Sequence, residues 1–376
     1  MIKFHKPHIT EEEIKVVSET LRSGWLTMGP ITIDFEKSFK NYIGCKYTVS
    51  VNSATAGLHL ALKAINLQPD DEVILPTTTF VATAEVVAYL HAKPVLCDIN
   101  ANTQTIDVSK IEALITPKTK AIMPVHFAGI PCDMTALKAI AKKHKLLIIE
   151  DAAHALPSSY ENQKIGSIGD ITVFSFYATK TMTTGEGGMI CTNNKKWADK
   201  MMVSRLHGMS REAWRRYSNK GSWHYEVLDM GFKYNMTDMN AALGLVQLKK
   251  LDWMNQMRRE LALRYIKAFE TLPIQYLEVP KNCRSSWHLF VIKIQDRDGL
   301  IQKLEKNNIG YAVHFIPIYH HHYYQEKFKW DKRAYPVAEK NYQHSLSLPI
   351  WPGLSQKDQD YIIQTVKSHV KETVSA

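Results

Sequence analysis

Through its first two-thirds the chain alternates short apolar runs with stretches of helical period, and this alternation limits the possible folds more than any other feature. The runs are Tyr47 to Val51, Val73 to Pro76, Pro94 to Ile99, Ala121 to Val125, Leu146 to Glu150, Ile171 to Phe176 and Gly188 to Thr192. Between several of them lie the amphipathic stretches Ala56 to Ile65, Phe80 to Leu90 and Met134 to His144. A helix between two strands returns the chain to the end where the first strand began, so the strands pair parallel and both faces of the sheet need covering. A doubly wound α/β sheet, mostly parallel and seven-stranded, is expected.

After Gly231 the pattern changes. Thr237 to about Glu270 reads as one long helix, with Leu243, Val246, Leu248 and Leu251 at helical spacing. Shorter elements follow: an extended segment at Trp287 to Ile294, a helix near Asp298 to Asn307, a strand at Tyr311 to Pro317 and a final helix after Ser355. At 376 residues the chain exceeds what one hydrophobic core organises. The expected division is a large domain with the N-terminal segment, 1–245, and a smaller α+β domain, 246–376.

Composition narrows the function. Hydrophobic residues make up 45% and charged residues 22%, an ordinary globular balance that excludes a disordered or collagen-like chain. No apolar run approaches the roughly 18 residues needed to span a bilayer, and the first residues carry no signal-like stretch, so a cytoplasmic protein without membrane partners is expected. The five scattered cysteines, with no C-x-x-C pair, read as reduced thiols. The formal charge of +10 suits an anionic partner, yet no basic block or nucleic-acid signature accompanies it. A small anionic molecule is expected, and no nucleic acid. His320-His321-His322 lacks acidic or cysteine companions at ligand spacing, so no metal site is assigned.

Three segments carry chemistry. The apolar run from Leu146 ends in Glu150-Asp151 and is followed by His154, which places Asp151 and His154 at the carboxyl end of a strand, where ligands of doubly wound sheets sit. A helix cap is the alternative for such an aspartate. The next strand runs into Tyr177-Ala178-Thr179-Lys180 and the glycine-dense Thr183 to Gly188. A lysine there is either a surface residue beside a turn or a desolvated amine able to form a Schiff base. Earlier, Asn52-Ser53-Ala54-Thr55-Ala56 joins a strand to a helix with small residues, either a plain N-cap or a cradle for phosphate on backbone N–H groups. An anion cradle, a strand-end carboxylate and an amine together suggest pyridoxal 5′-phosphate.

These motifs, with Pro76 to Thr83, Gly24 to Thr27, Arg205 to Gly208, Tyr234 to Asp238 and Val313 to Pro317, resemble the DegT family of nucleotide-sugar aminotransferases, in order and over almost the whole chain. The resemblance implies the PLP-transferase fold, type I, and a homodimer with shared active sites. It also implies transfer of an amino group from glutamate to a nucleotide-diphospho-keto sugar, with pyridoxamine 5′-phosphate as the intermediate form of the cofactor. Lys180 is then the Schiff-base lysine and Asp151 the partner of the pyridine nitrogen. Phe80 lies on the ring face and His154 beside the ring, while Ser175 and the amides of Ala54 and Thr55 hold the phosphate. An asparagine from the other subunit also reaches this phosphate in the family. Asn235 is taken as its counterpart, with Lys233, at the place where many relatives carry asparagine, as the alternative. Ala54 stands where many relatives have glycine.

Trp25, Thr27, His314 and Tyr319 are candidate substrate contacts, with plain packing as the alternative reading. Arg205, Arg211, Arg215 and Arg216 either draw in a diphosphate or form a solvated helix face. Likeness around Trp214 to Trp223 and His314 favours a uridine-linked 4-keto-6-deoxy hexose. Relatives that become deoxysugar dehydratases replace the lysine with histidine, so Lys180 points to amino transfer. A cofactor-binding regulator without turnover is the rival from another class, and no segment is spare for a DNA-binding module.

Overall fold

The computed structural model describes residues 1–210 and 224–375, with side chains described to residue 373. Arg211, Arg215, Arg216 and the Trp214 to Trp223 stretch lie outside the described residues. Seven strands form the central sheet: β1 (Tyr47–Val51), β2 (Glu72–Pro76), β3 (Lys93–Cys97), β4 (Thr119–Ile122), β5 (Leu147–Asp151), β6 (Ile171–Ser175) and β7 (Gly188–Thr192). Their order is β1-β7-β6-β5-β4-β2-β3. All neighbours pair parallel except β7, which runs antiparallel to both β1 and β6. Pro94, which has no N–H to give a ladder, sits on the edge strand β3.

Helices cover both faces. On one, α1 (Glu11–Ser23), α2 (Pro30–Ile43), α5 (Met134–His144) and the first half of α7 (Asp238–Phe269) surround a core that includes Phe35, Phe39, Phe174, Phe176, Leu251 and Met254. On the other lie α3 (Ala54–Ala64), α4 (Ala82–Tyr89) and α6 (Lys195–Ser204). Helix α3 is almost wholly buried, as its run of Ala, Leu and Gly dictates. Gly57 lets it sit close on β6, since a Cβ there would come within 2.6 Å of Val173 Cγ1.

The second half of α7 joins a further core with β8 (Gln275–Tyr276), β9 (Phe290–Lys293), β10 (Ser345–Leu348), α8 (Arg297–Lys306) and α9 (Gln356–Ser375). Helix α7 is continuous across residue 245 and its 32 residues supply both cores. The expected strand at Tyr311 to Pro317 does not form. Only Ala312 bridges to Ser347, and the third strand of the small sheet is β10 instead. Tyr311 and Val313 still pack against the small-lobe core, but Phe315 turns away from it to meet Phe80, Phe127 and His154.

Among the described residues, no helix is long and apolar enough to cross a membrane.

Candidate active site

The carboxyl ends of β1, β5 and β6 open into a cavity of about 490 Å³. Of the residues anticipated from sequence, Ala54, Thr55, Phe80, Asp151, His154, Ser175, Lys180 and His314 line it.

Each is placed by local folding. Ser53 caps α3, its Oγ accepting from Ala56 N–H at 3.1 Å. The N–H groups of Ala54 and Thr55, the first two of the helix, have no acceptor behind them in the helix and face the cavity at the positive end of the helix dipole. The turn can lie this close to β7 because residue 188 is glycine; a Cβ there would sit 2.9 Å from Ala54 N. Ser175 ends β6 beside it.

Asp151 ends β5, 5% exposed. Its Oδ2 accepts from Thr83 Oγ1 at 2.8 Å and its Oδ1 from Ala153 N–H at 3.1 Å. Burial pushes the carboxyl up from its ordinary value, while those hydrogen bonds and the Lys180 charge oppose. Lys180 reaches the cavity from the turn after β6, its N–H bonded to Tyr177 O at 3.0 Å. Its ammonium has no hydrogen-bonded partner among the described residues, and desolvation lowers it to about 8, against the pull of Asp151.

His154 accepts from Ala128 N–H at Nδ1, 3.3 Å, and packs flat on Phe315 at 5.9 Å. Burial, then the Lys180 charge, holds His154 well below its usual range. The same two causes bring His314 down to about 4, its Nδ1 lying 2.9 Å from Ser347 Oγ. Phe80, 56% exposed, stands at the mouth.

Other anticipated residues lie elsewhere. Tyr319 is 1% exposed, stacked on Tyr335 and donating to Glu339 Oε2 at 3.1 Å, so its aromatic body is core and its hydroxyl is committed. Trp25 donates from Nε1 to the Met28 carbonyl at 3.3 Å, and Thr27 is exposed, its carbonyl accepting from Asp238 N–H. Asn235 is buried, bonded to the Met236 carbonyl, while Lys233 is exposed. Arg205 is 3% exposed and paired with Glu36 and with the Ser50 carbonyl, so its charge serves the fold and not a diphosphate.

Sequence reasoning overlooked Thr83, His288, Phe315 and Glu186. Thr83 stood inside a motif already noted, and its position one turn after Thr79 was the available signal. Glu186 and Phe315 likewise stood inside segments already noted, whereas His288 carried no local signal, since its relevance comes only from lining the cavity.

The chain matches the DegT/DnrJ/EryC1/StrS aminotransferase family over residues 7–367. It belongs to that family. The spore coat polysaccharide biosynthesis protein SpsC of Bacillus subtilis is 47% identical over 378 residues, covering 98% of this chain and 97% of SpsC. The putative sugar aminotransferase Spr1654 of Streptococcus pneumoniae, in its PMP form, superposes with a TM-score of 0.94 at 35% identity, covering 100% of this chain and 98% of that one. Helicobacter pylori PseC, an aminotransferase involved in pseudoaminic acid biosynthesis, superposes at 0.92 with 32% identity and 99% coverage of both chains.

The chain is thus a sugar aminotransferase with the PLP-transferase fold, which sets aside the dehydratase and regulator readings. The family depends on pyridoxal 5′-phosphate, and Spr1654 is known in both PLP and PMP forms. The residues present fit that group: free helix N–H groups and Ser175 for a phosphate, a buried carboxylate for a ring nitrogen, and an unpaired amine for an aldehyde.

Proposed function

We propose that this aminotransferase moves the amino group of glutamate onto the ketone of a nucleotide-diphospho-keto sugar, most specifically a UDP-4-keto-6-deoxy hexose, as a step toward a surface polysaccharide or glycan such as a lipopolysaccharide O-antigen. The observation that carries the reading is the pairing, in one cavity, of the unpartnered Lys180 amine with the Asp151 carboxylate held by Thr83.

Bound pyridoxal phosphate supplies an electron sink for the pair released when the donor's Cα–H bond breaks. The protein's own residues do the rest. Lys180 would hold the cofactor's aldehyde, and its amine, lowered to about 8 by desolvation, is suited to take and return the donor's Cα proton. Asp151 would face the ring nitrogen and favour its protonated form. Ala54, Thr55 and Ser175 would hold its phosphate, and Phe80 and His154, which line the same cavity, would shield it from water.

A homodimer is part of the reading. Apolar side chains stand exposed at the cavity mouth and beyond it: Phe80 at 56%, Ile316 at 45%, Val227 at 65%, Leu228 at 59% and Met230 at 76%. In that dimer Asn235 or Lys233 would reach the partner's phosphate, and Trp25 and Thr27 have a substrate role only across the interface. A cytoplasmic setting is supported by the five unpaired cysteines. The test is a mass-spectrometric screen of nucleotide keto sugars with glutamate as donor; a product bearing a new amine on a uridine-linked 4-keto sugar is expected, and no amination of any keto sugar would overturn the reading.

A further inference from the structure

The two ends of the cavity differ in chemistry. One is the phosphate turn. At the other, three imidazoles converge, with ring centroids 4.3 Å apart for His154 and His288 and 6.5 Å apart for His154 and His314. His288 is 6% exposed, and its Nδ1 has no hydrogen-bond partner. No carboxylate among the described residues hydrogen-bonds to any of these three rings: His154 is met by Ala128 N–H and His314 by Ser347.

Behind them lies Arg258 of α7, fully buried. Its Nη1 donates to the carbonyls of His288 at 3.2 Å, Trp287 at 3.4 Å and Ile350 at 2.7 Å, while Nε and Nη2 have no partner. Among the described residues no carboxylate faces this guanidinium. A buried cation without a counter-ion is costly, and an entering anion relieves that cost. The acidic residues lining the cavity do not supply one. Asp151 is bonded to Thr83 and Ala153, and Glu186 is exposed.

We propose that this imidazole end is a carboxylate subsite for a dicarboxylic amino donor, with His288 donating to the carboxylate and Arg258 as the cation that positions and backs it. The inference rests on the aminotransferase reading of the same cavity. Because its Nδ1 is uncommitted, the His288 ring is free to place its N–H on whichever nitrogen faces the ligand. Burial and the neighbouring Lys180 and Arg258 charges keep it neutral without a ligand, so an arriving carboxylate finds a donor and a field of the right sign.

The test is calorimetric titration of the cofactor-loaded enzyme with glutarate, which has the length of glutamate but no amine to react. Glutarate should bind and compete with glutamate. Glutaramide, equally long but uncharged, should bind about tenfold or more weakly, the loss expected for a hydrogen bond to a charged group. His288→Gln should weaken glutarate by a similar factor. Equal binding of glutaramide, no binding of glutarate, or displacement of glutarate by a tighter-binding pyrophosphate would each overturn the subsite, and these arms need only the wild-type protein. Glutarate binding that persists in an enzyme unable to take an amino group from glutamate would instead sink the aminotransferase reading and leave the subsite standing.

Discussion

The Thr83 hydroxyl donates to Asp151 Oδ2 at 2.8 Å and lies 2.7 Å from Thr79 Oγ1. A hydroxyl has one proton, so with Thr83 donating to the carboxylate, Thr79 must donate to Thr83. The carboxylate at the end of β5 is therefore aimed by a relay from the start of α4. Thr83→Val keeps the shape and removes the donor; kcat should fall about tenfold, the value of a hydrogen bond to a charged group, with the melting temperature little changed. Steady-state kinetics beside a thermal melt checks both halves.

Lys180→Ala should abolish amino transfer by a factor on the order of a thousand, as expected for loss of a residue that both tethers and transfers a proton. Borohydride reduction of the wild-type holoenzyme followed by peptide mapping should place the cofactor on Lys180. A label on any other lysine contradicts the assignment.

The same lysine gives a pH signature. Its value near 8 in the folded chain lies below the ordinary 10.5, so between these two the unfolded chain binds more protons than the folded one. Stability of the cofactor-free protein should therefore rise with pH from about 8 to 10.5, and Lys180→Met should flatten that rise. Urea titrations at stepped pH measure it.

Glu150 and His126 form a fully buried pair at 2.8 Å, and the second Glu150 oxygen accepts from Gly169 N–H and the Thr172 hydroxyl. Glu150→Ala leaves those donors and His126 Nε2 without a partner, Nδ1 still accepting from Cys132 N–H, and should cost about 3–5 kcal/mol. Replacing both members with leucine should cost less than Glu150→Ala alone. Denaturant unfolding compares the two.

Leu228 and Met230 are 59% and 76% exposed. If they belong to the subunit interface, Leu228→Glu with Met230→Glu should weaken the dimer about tenfold or more per residue and lower activity in parallel. Sedimentation velocity reads the first effect; a dimer unaffected by both changes would place the interface elsewhere.

Much of this was legible in the chain because the decisive signals are local. Each of the seven apolar runs overlaps a strand of the sheet; Asp151 and Ser175 end β5 and β6 and Lys180 lies in the turn after β6, so reading the strands placed these residues at one end of the sheet, where the cavity lies. The small lobe was read less well. Tyr311 to Pro317 has β-like composition, but His314 and Phe315 turn into the cavity and only Ala312 bridges to the sheet, whereas Ser345-Leu346-Ser347-Leu348, only four residues long, carries the third strand because Leu346 and Leu348 complete the core.

The amino-acid order by itself determined the alternation of strand and helix, the parallel sheet and the residue types at the strand ends, because these depend on neighbours within a few positions. Tertiary structure decided which distant residues meet. His288, His314 and Phe315 come from the far lobe to close a cavity begun at Ser53, while Tyr319, only four residues beyond Phe315, is sealed in the core. The direction a side chain takes at such positions is set by the packing of whole layers against one another, a free energy that no short stretch of sequence contains.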